Sequence, residues 1–179
     1  FGLDPIYAVH DKDYIDFLAS CWTEWLDSEA RDKSMLLPAT FALRRHPQKP
    51  TSLLGRAGYY MMDLSACIVA GTYPAALASA NCALSAAEAV VNGERAAFAL
   101  CRPPGHHAGK DYAGGYCFIN NASVAAHWLS AQGKVALLDI DYHCGNGTQD
   151  IFYDRADVLT ISIHADPHVE YPYYAGYAD

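Results

Sequence analysis

Three short, almost unbroken apolar runs punctuate the second half of the sequence, at residues 96–101, 135–140 and 158–163. Each has the length of a strand, and strands that carry apolar residues on both sides are those buried on both faces of a parallel sheet. Helical segments precede and separate them. Residues 11–26 place Tyr14, Ile15, Phe17, Leu18, Cys21, Trp22, Trp25 and Leu26 at helical spacing. Thr72–Val91 is alanine-rich, with Pro74 in its first turn and Asn92-Gly93 as its stop. Residues 116–131 form a loop running into a helix that ends at Gly133. Short buried strands alternating with helices define an α/β class with a central parallel sheet.

Bulk properties narrow the function. At 179 residues the chain is long enough for one domain with a sizeable core, and 52% hydrophobic against 18% charged residues is a globular balance. No apolar stretch is expected to reach the roughly 20 residues of a membrane span, so a soluble chain is expected. A net charge of -8 argues against nucleic acid as the main partner and suits a small cationic ligand. Six cysteines without a C-x-x-C pair fit reduced thiols in a cytoplasmic protein. Residues 32–58 lack periodicity and hold Pro38, Pro47, Pro50 and Gly55, so they are expected to be a long loop and the place to look for a homodimer contact. The chain opens at Phe1 and closes at Asp179 without tail-like composition, and is expected to be part of a longer frame.

Chemistry concentrates where the apolar runs end. The stretch 139–148, Asp-Ile-Asp-Tyr-His-Cys-Gly-Asn-Gly-Thr, follows the second run. In an extended chain Asp139, Asp141 and His143 share one side, and a carboxylate and an imidazole two residues apart make half of a divalent-metal site. A catalytic zinc usually takes three protein ligands, so one more is needed. Cys144 would face away from the pair. The plainer alternative, that Asp139 and Asp141 only cap the following turn, stays open; placement at the carboxyl end of a strand favours a site.

After the first run comes Arg102-Pro-Pro-Gly-His-His-Ala108, two neighbouring histidines on a stiff turn. Such a pair can supply acid and base if a carboxylate tunes one ring, and Asp139 is the natural candidate. Gly114-Gly-Tyr-Cys-Phe-Ile-Asn-Asn121 offers two glycines that permit close backbone approach and a Tyr116 for a pocket wall. Asn120 and Asn121 are equally suited to start a helix. Ser162-Ile-His164 closes the third run, where free carbonyls could bind a monovalent cation; His164, Asp166 and His168 lie in a Pro- and Tyr-rich segment expected to be irregular.

Taken in order, R-P-P-G-H-H-A, G-G-Y-C-F-I-N-N and D-I-D-Y-H-x-G-N-G-T-Q resemble the family of histone deacetylases and acetylpolyamine amidohydrolases. The flanks V-H-D-K-D-Y-I-D-F-L, G-x-x-G-Y-Y-M-M-D and D-P-H-V-E-Y-P-Y-Y-A-G-Y-A-D look most like the bacterial acetylpolyamine branch. The resemblance implies the arginase-deacetylase fold, a three-layer α-β-α arrangement, here without its C-terminal part. It implies hydrolysis of an acetylpolyamine or acetyl-lysine amide to acetate and free amine. Asp141 and His143 would bind one zinc ion; His106 and His107 would be the tandem pair, with Asp139 on His106, Asn146 on His107, and His107 as the proton-transfer group. Gly115 and Tyr116 would line a narrow substrate tunnel. A structural potassium ion would take Asp139, Asp141, His143, Ser162 and Ile163, with a second site at Phe152, Arg155 and Val158. Two departures stand out: position 144 is usually histidine and here is Cys144, and the family's third zinc ligand and its transition-state tyrosine would fall after Asp179. Two other readings are a ureohydrolase relative with two manganese ions and a non-catalytic binding domain that retains the pocket.

Overall fold

A computed structural model describes residues 1–29, 34–42 and 48–178. The elements run α1 (Asp4–Tyr7), α2 (Lys12–Asp27), α3 (Leu53–Tyr60), α4 (Thr72–Val91), α5 (Asn121–Ser130), β1 (Val135–Asp139), α6 (Asn146–Phe152) and β2 (Val158–Ser162). β1 and β2 pair in parallel, Val135 opposite Val158 through Asp139 opposite Ser162, with α6 as the crossover. This is the α/β class expected from the apolar runs.

Local sequence accounts for most of the elements. α2 buries Tyr14, Ile15, Phe17, Leu18 and Cys21 on one face, as its spacing predicts. Tyr14 sits against Tyr60 with ring centroids 5.6 Å apart, and Phe17 lies 4.9 Å from the same ring. The Tyr14 hydroxyl is not wasted in this core: it donates to the Phe118 carbonyl at 2.7 Å. α4 ends where Gly93, at φ 108°, takes the left-handed conformation that a helix stop favours. α5 is capped by Asn120, whose side chain accepts the Ser123 N–H at 3.0 Å. α4 and α5 pack together, and the residues they bury include Ala76, Ser79, Ala80 and Leu84 on α4 and Ser123, Val124 and Ala126 on α5.

Four expectations are corrected. Residues 96–101 are extended but belong to no strand; Phe98 and Leu100 are 87% and 83% exposed, because among the described residues no segment pairs with them. Among the described residues two strands form, and they are covered on one face only, by α5 and α6. Leu138, Ile140, Leu159, Ile161 and Ile163, alternate residues of the other face, are exposed. Within 32–58, residues from Leu53 onward form α3, started by the Ser52 side chain accepting the Gly55 N–H; residues 32, 33 and 43–47 lie outside the described residues. Finally, α4 is by length and composition apolar enough to cross a membrane, since its alanines raise the mean hydropathy without forming an unbroken apolar run.

Candidate active site

The site forms where the loop after residue 101, the loop before α5 and the loop between β1 and α6 meet. Glycines make the meeting possible. Gly147 donates its N–H to the His106 carbonyl at 3.0 Å, and a Cβ there would collide with the backbone of His107 and Ala108. Gly115 has φ 52°, and a Cβ on it would lie 2.7 Å from His107 Cγ and nearer still to Cδ2.

His106 and His107 have rings 4.0 Å apart yet sit in different electrostatic settings. His106 Nδ1 lies 2.8 Å from Asp139 Oδ2. His107 Nδ1 lies 2.7 Å from Asn146 Oδ1, an atom that only accepts, so Nδ1 carries the proton and Nε2 keeps its lone pair. Burial, reinforced by the neighbouring His106, lowers the His107 pKa to about 4, leaving it a neutral base across the physiological range. For Asp139 burial works upward, but hydrogen bonds from His106 and the Asp141 N–H prevail and hold the carboxyl below its ordinary value.

Asp141 and His143 join this pair. Asp141 Oδ1 is 3.5 Å from His143 Nδ1 and 3.9 Å from His106 Nε2, and the His143 ring lies 6.1 Å from that of His107. A tetrahedral ion with bonds of about 2.0–2.1 Å needs ligand atoms roughly 3.4 Å apart, so the carboxylate and imidazole fit one zinc. Among the described residues no group of three or more His, Cys, Asp or Glu side chains is arranged to hold a metal ion, so Asp141 and His143 stand as a pair. The turn-capping alternative also holds: Asp139 Oδ1 accepts the Asp141 N–H at 3.0 Å, and Asp141 Oδ1 accepts the His143 N–H at 2.8 Å. The strand ends at Asp139, so these two turns, and not continued strand alternation, aim the side chains together.

Gly115 abuts His107, whereas Tyr116, with φ 66° and 67% exposed, lines a cavity with Arg102, Pro103, Pro104 and Phe118. Sequence reasoning passed over two residues. Tyr171 sets its ring edge-on to His107 at 4.8 Å and to His143 at 5.7 Å. Its hydroxyl donates to Asp63 Oδ2 at 2.6 Å, and the same oxygen accepts the Gly115 N–H at 2.9 Å. Asp63 stood in the G-x-x-G-Y-Y-M-M-D stretch, but nothing in its spacing tied it to residues 52 and 108 positions away.

Asp139, Ser162 and Ile163 line one cavity of about 500 Å³ together with Cys144, His164 and Gly176; Asp141 and His143 do not. The Asp139 carbonyl there accepts the Ile163 N–H at 2.9 Å. Cys144 is buried in that cavity, and burial raises its pKa. At the second expected cation site, Arg155 pairs with Asp157, its guanidinium lies over the Phe152 ring, and its N–H donates to the Phe152 carbonyl at 3.0 Å. His168 bonds Asp166 on an exposed turn, and His164 bonds Ser162 and Gly176.

A tandem histidine pair beside an aspartate and histidine at a strand end defines a class, and the comparisons agree on it. The histone deacetylase domain profile matches residues 2–179, and the chain belongs to that family. It is 54% identical over its whole length to acetylpolyamine amidohydrolase 2 of Pseudomonas aeruginosa and 48% identical over 99% of its length to acetylpolyamine amidohydrolase of Mycoplana ramosa, covering 52% of each. The crystal structure of acetylpolyamine aminohydrolase from Burkholderia pseudomallei matches 99% of the chain with a TM-score of 0.93 and 46% identity, again over 52% of that structure. The chain therefore spans about half the length of the relatives it matches, and its fold is the one this family shares.

Proposed function

We propose that the chain supplies the histidine-pair half of the active site of a zinc-dependent hydrolase that cleaves N-acetyl amides of small amines, acetylpolyamines first and acetyl-lysine second. The observation that carries this is the asymmetry of the pair: His106 is tied to the Asp139 carboxylate, and His107 to the Asn146 carboxamide. One histidine is thereby set beside a negative charge, and the other is kept as a neutral base with its Nε2 free. The relatives carry the acetylpolyamine name, and the net charge of -8 suits a cationic substrate.

Asp141 and His143 would hold the zinc ion, with the remaining ligand from outside the described residues. When bound, the ion would polarise the acetyl carbonyl and make water more acidic. His107 Nε2 takes a proton from the attacking water as its oxygen bonds to the carbonyl carbon. The same nitrogen then returns a proton to the amine nitrogen as the C–N bond breaks, giving acetate and free amine. His106, paired with Asp139, stabilises the negative charge that builds on the carbonyl oxygen side. Gly115, Tyr116 and Tyr171 wall the channel for the alkyl arm. A potassium ion near the Asp139, Ser162 and Ile163 backbone belongs to the same reading, supported by their shared cavity. The free state of all six cysteines supports a cytoplasmic location.

The test is acetate release from N-acetylputrescine and from an acetyl-lysine peptide by the full-length polypeptide. His107→Ala should lose at least about 10²-fold in kcat, the contribution of a general base. Turnover of His107→Ala at the wild-type rate would overturn the assignment.

A further inference from the structure

His10 is buried outside the catalytic cluster, and the mechanism above makes no use of it. It lies between α1 and α2, 2% exposed, with its ring against Tyr14 at 5.8 Å. Its two ring nitrogens reach two different loops. Nδ1 is 2.8 Å from the Gly109 carbonyl, two residues after His107. Nε2 is 2.9 Å from the N–H of Asn120, four residues after Tyr116. A carbonyl only accepts and an amide N–H only donates, so the ring is neutral, with its proton on Nδ1. Adjacent bonds close the circle: Asn120 Nδ2 donates at 3.1 Å to both the Ala108 carbonyl and Thr148 Oγ1, and the Asp11 N–H donates to the Lys110 carbonyl at 2.8 Å.

We propose that His10 is a positioning residue that ties the loop of the tandem histidines to the loop of Gly115 and Tyr116, fixing the proton-transfer group relative to the channel wall. The proposal rests on the hydrolase reading above. Its logic is geometric: Gly115 already sits so close to His107 that a small shift of either loop would change their spacing. One imidazole with one proton sets both loops at once, which a side chain with a single polar end cannot do.

Two substitutions separate the ties. In His10→Asn the amide nitrogen falls where Nδ1 was and keeps the bond to Gly109, while Asn120 loses its acceptor. In His10→Gln the longer side chain can present its oxygen to the Asn120 N–H, while the Gly109 carbonyl loses its donor. In the full-length polypeptide, with N-acetylputrescine as substrate, His10→Gln should lower kcat by about tenfold with little change in KM, and His10→Asn should raise KM by about tenfold with a smaller change in kcat, each corresponding to one hydrogen bond. Nitrogen-15 spectra of the wild-type ring should show a protonated Nδ1, an unprotonated Nε2, and a coupling from Nε2 to the Asn120 N–H. A protonated Nε2, or two variants with the same kcat and KM pattern, would overturn the proposal. If the wild-type polypeptide releases no acetate from acetylated amines, the positioning role falls with the reaction, and the spectra still report whether the tie exists.

Discussion

Gly115→Ala tests the closeness of the Gly115 backbone to His107 with one methyl group. The added Cβ would stand 2.7 Å from His107 Cγ, and closer to Cδ2, more than 1 Å inside ordinary contact. The imidazole is buried and anchored to Asn146 at 2.7 Å, so it cannot swing aside without breaking that bond. The φ of 52° adds about 1–2 kcal/mol for any residue with a Cβ. A lost buried hydrogen bond adds roughly 1–3 kcal/mol, so destabilisation of about 2–5 kcal/mol is expected if the ring yields. Displacing a reacting group by about 1 Å costs on the order of 10²-fold in rate. Urea denaturation and kcat/KM on N-acetylputrescine would be measured beside Gly71→Ala, where a Cβ meets nothing within 4 Å and both quantities should stay near wild type. Wild-type stability and kcat/KM for Gly115→Ala would refute the placement of His107 against Gly115.

Further outcomes follow from the same geometry. Asn146→Ala leaves the His107 Nδ1–H without its acceptor, and should cost about 1–3 kcal/mol in stability and lower kcat; equal urea midpoints would contradict it. Asp139→Asn keeps an acceptor for His106 but removes the charge, so kcat should fall by about one to two orders of magnitude with KM nearly constant, read in steady-state kinetics. Burial lowers the His10 pKa to about 4, with the backbone of Gly109 and Lys110 acting in the opposite direction. Tyr14 and the backbone of Gly109, Lys110 and Asn120 face this ring. Because the folded pKa is depressed, this contribution is fully present above the unfolded value of about 6.5 and is lost as pH falls from there to about 4, a loss of roughly 3 kcal/mol. In His10→Gln the stability difference between pH 7 and pH 4.5 should shrink correspondingly, measured by urea denaturation at both values.

Much of the site was legible because its residues lie in three short stretches whose order and spacing are distinctive. The Asp139 to His106 and Asn146 to His107 pairings, expected from resemblance, are present at hydrogen-bond distance. The helix of Thr72–Val91 was legible from its own start and stop signals. Asp63 and Tyr171 were not, although both lie in stretches that carry the resemblance, since each acts through contacts made far along the chain. Residues 96–101 show the limit of periodicity: an apolar run states that a segment can be buried in a sheet, but pairing depends on a neighbour that local sequence does not specify. The same holds for the exposed faces of Leu138 and Ile161. Helix α3 was missed because Pro50 and Gly55 suggested a loop, whereas Ser52 caps the turn between them.

The most direct test is anomalous diffraction at the zinc edge from crystals of the full-length polypeptide grown with zinc. One strong peak is expected within bonding distance of both Asp141 and His143, beside the two imidazoles of His106 and His107. A peak bound elsewhere, or a pair of metal peaks sharing Asp141, would contradict this.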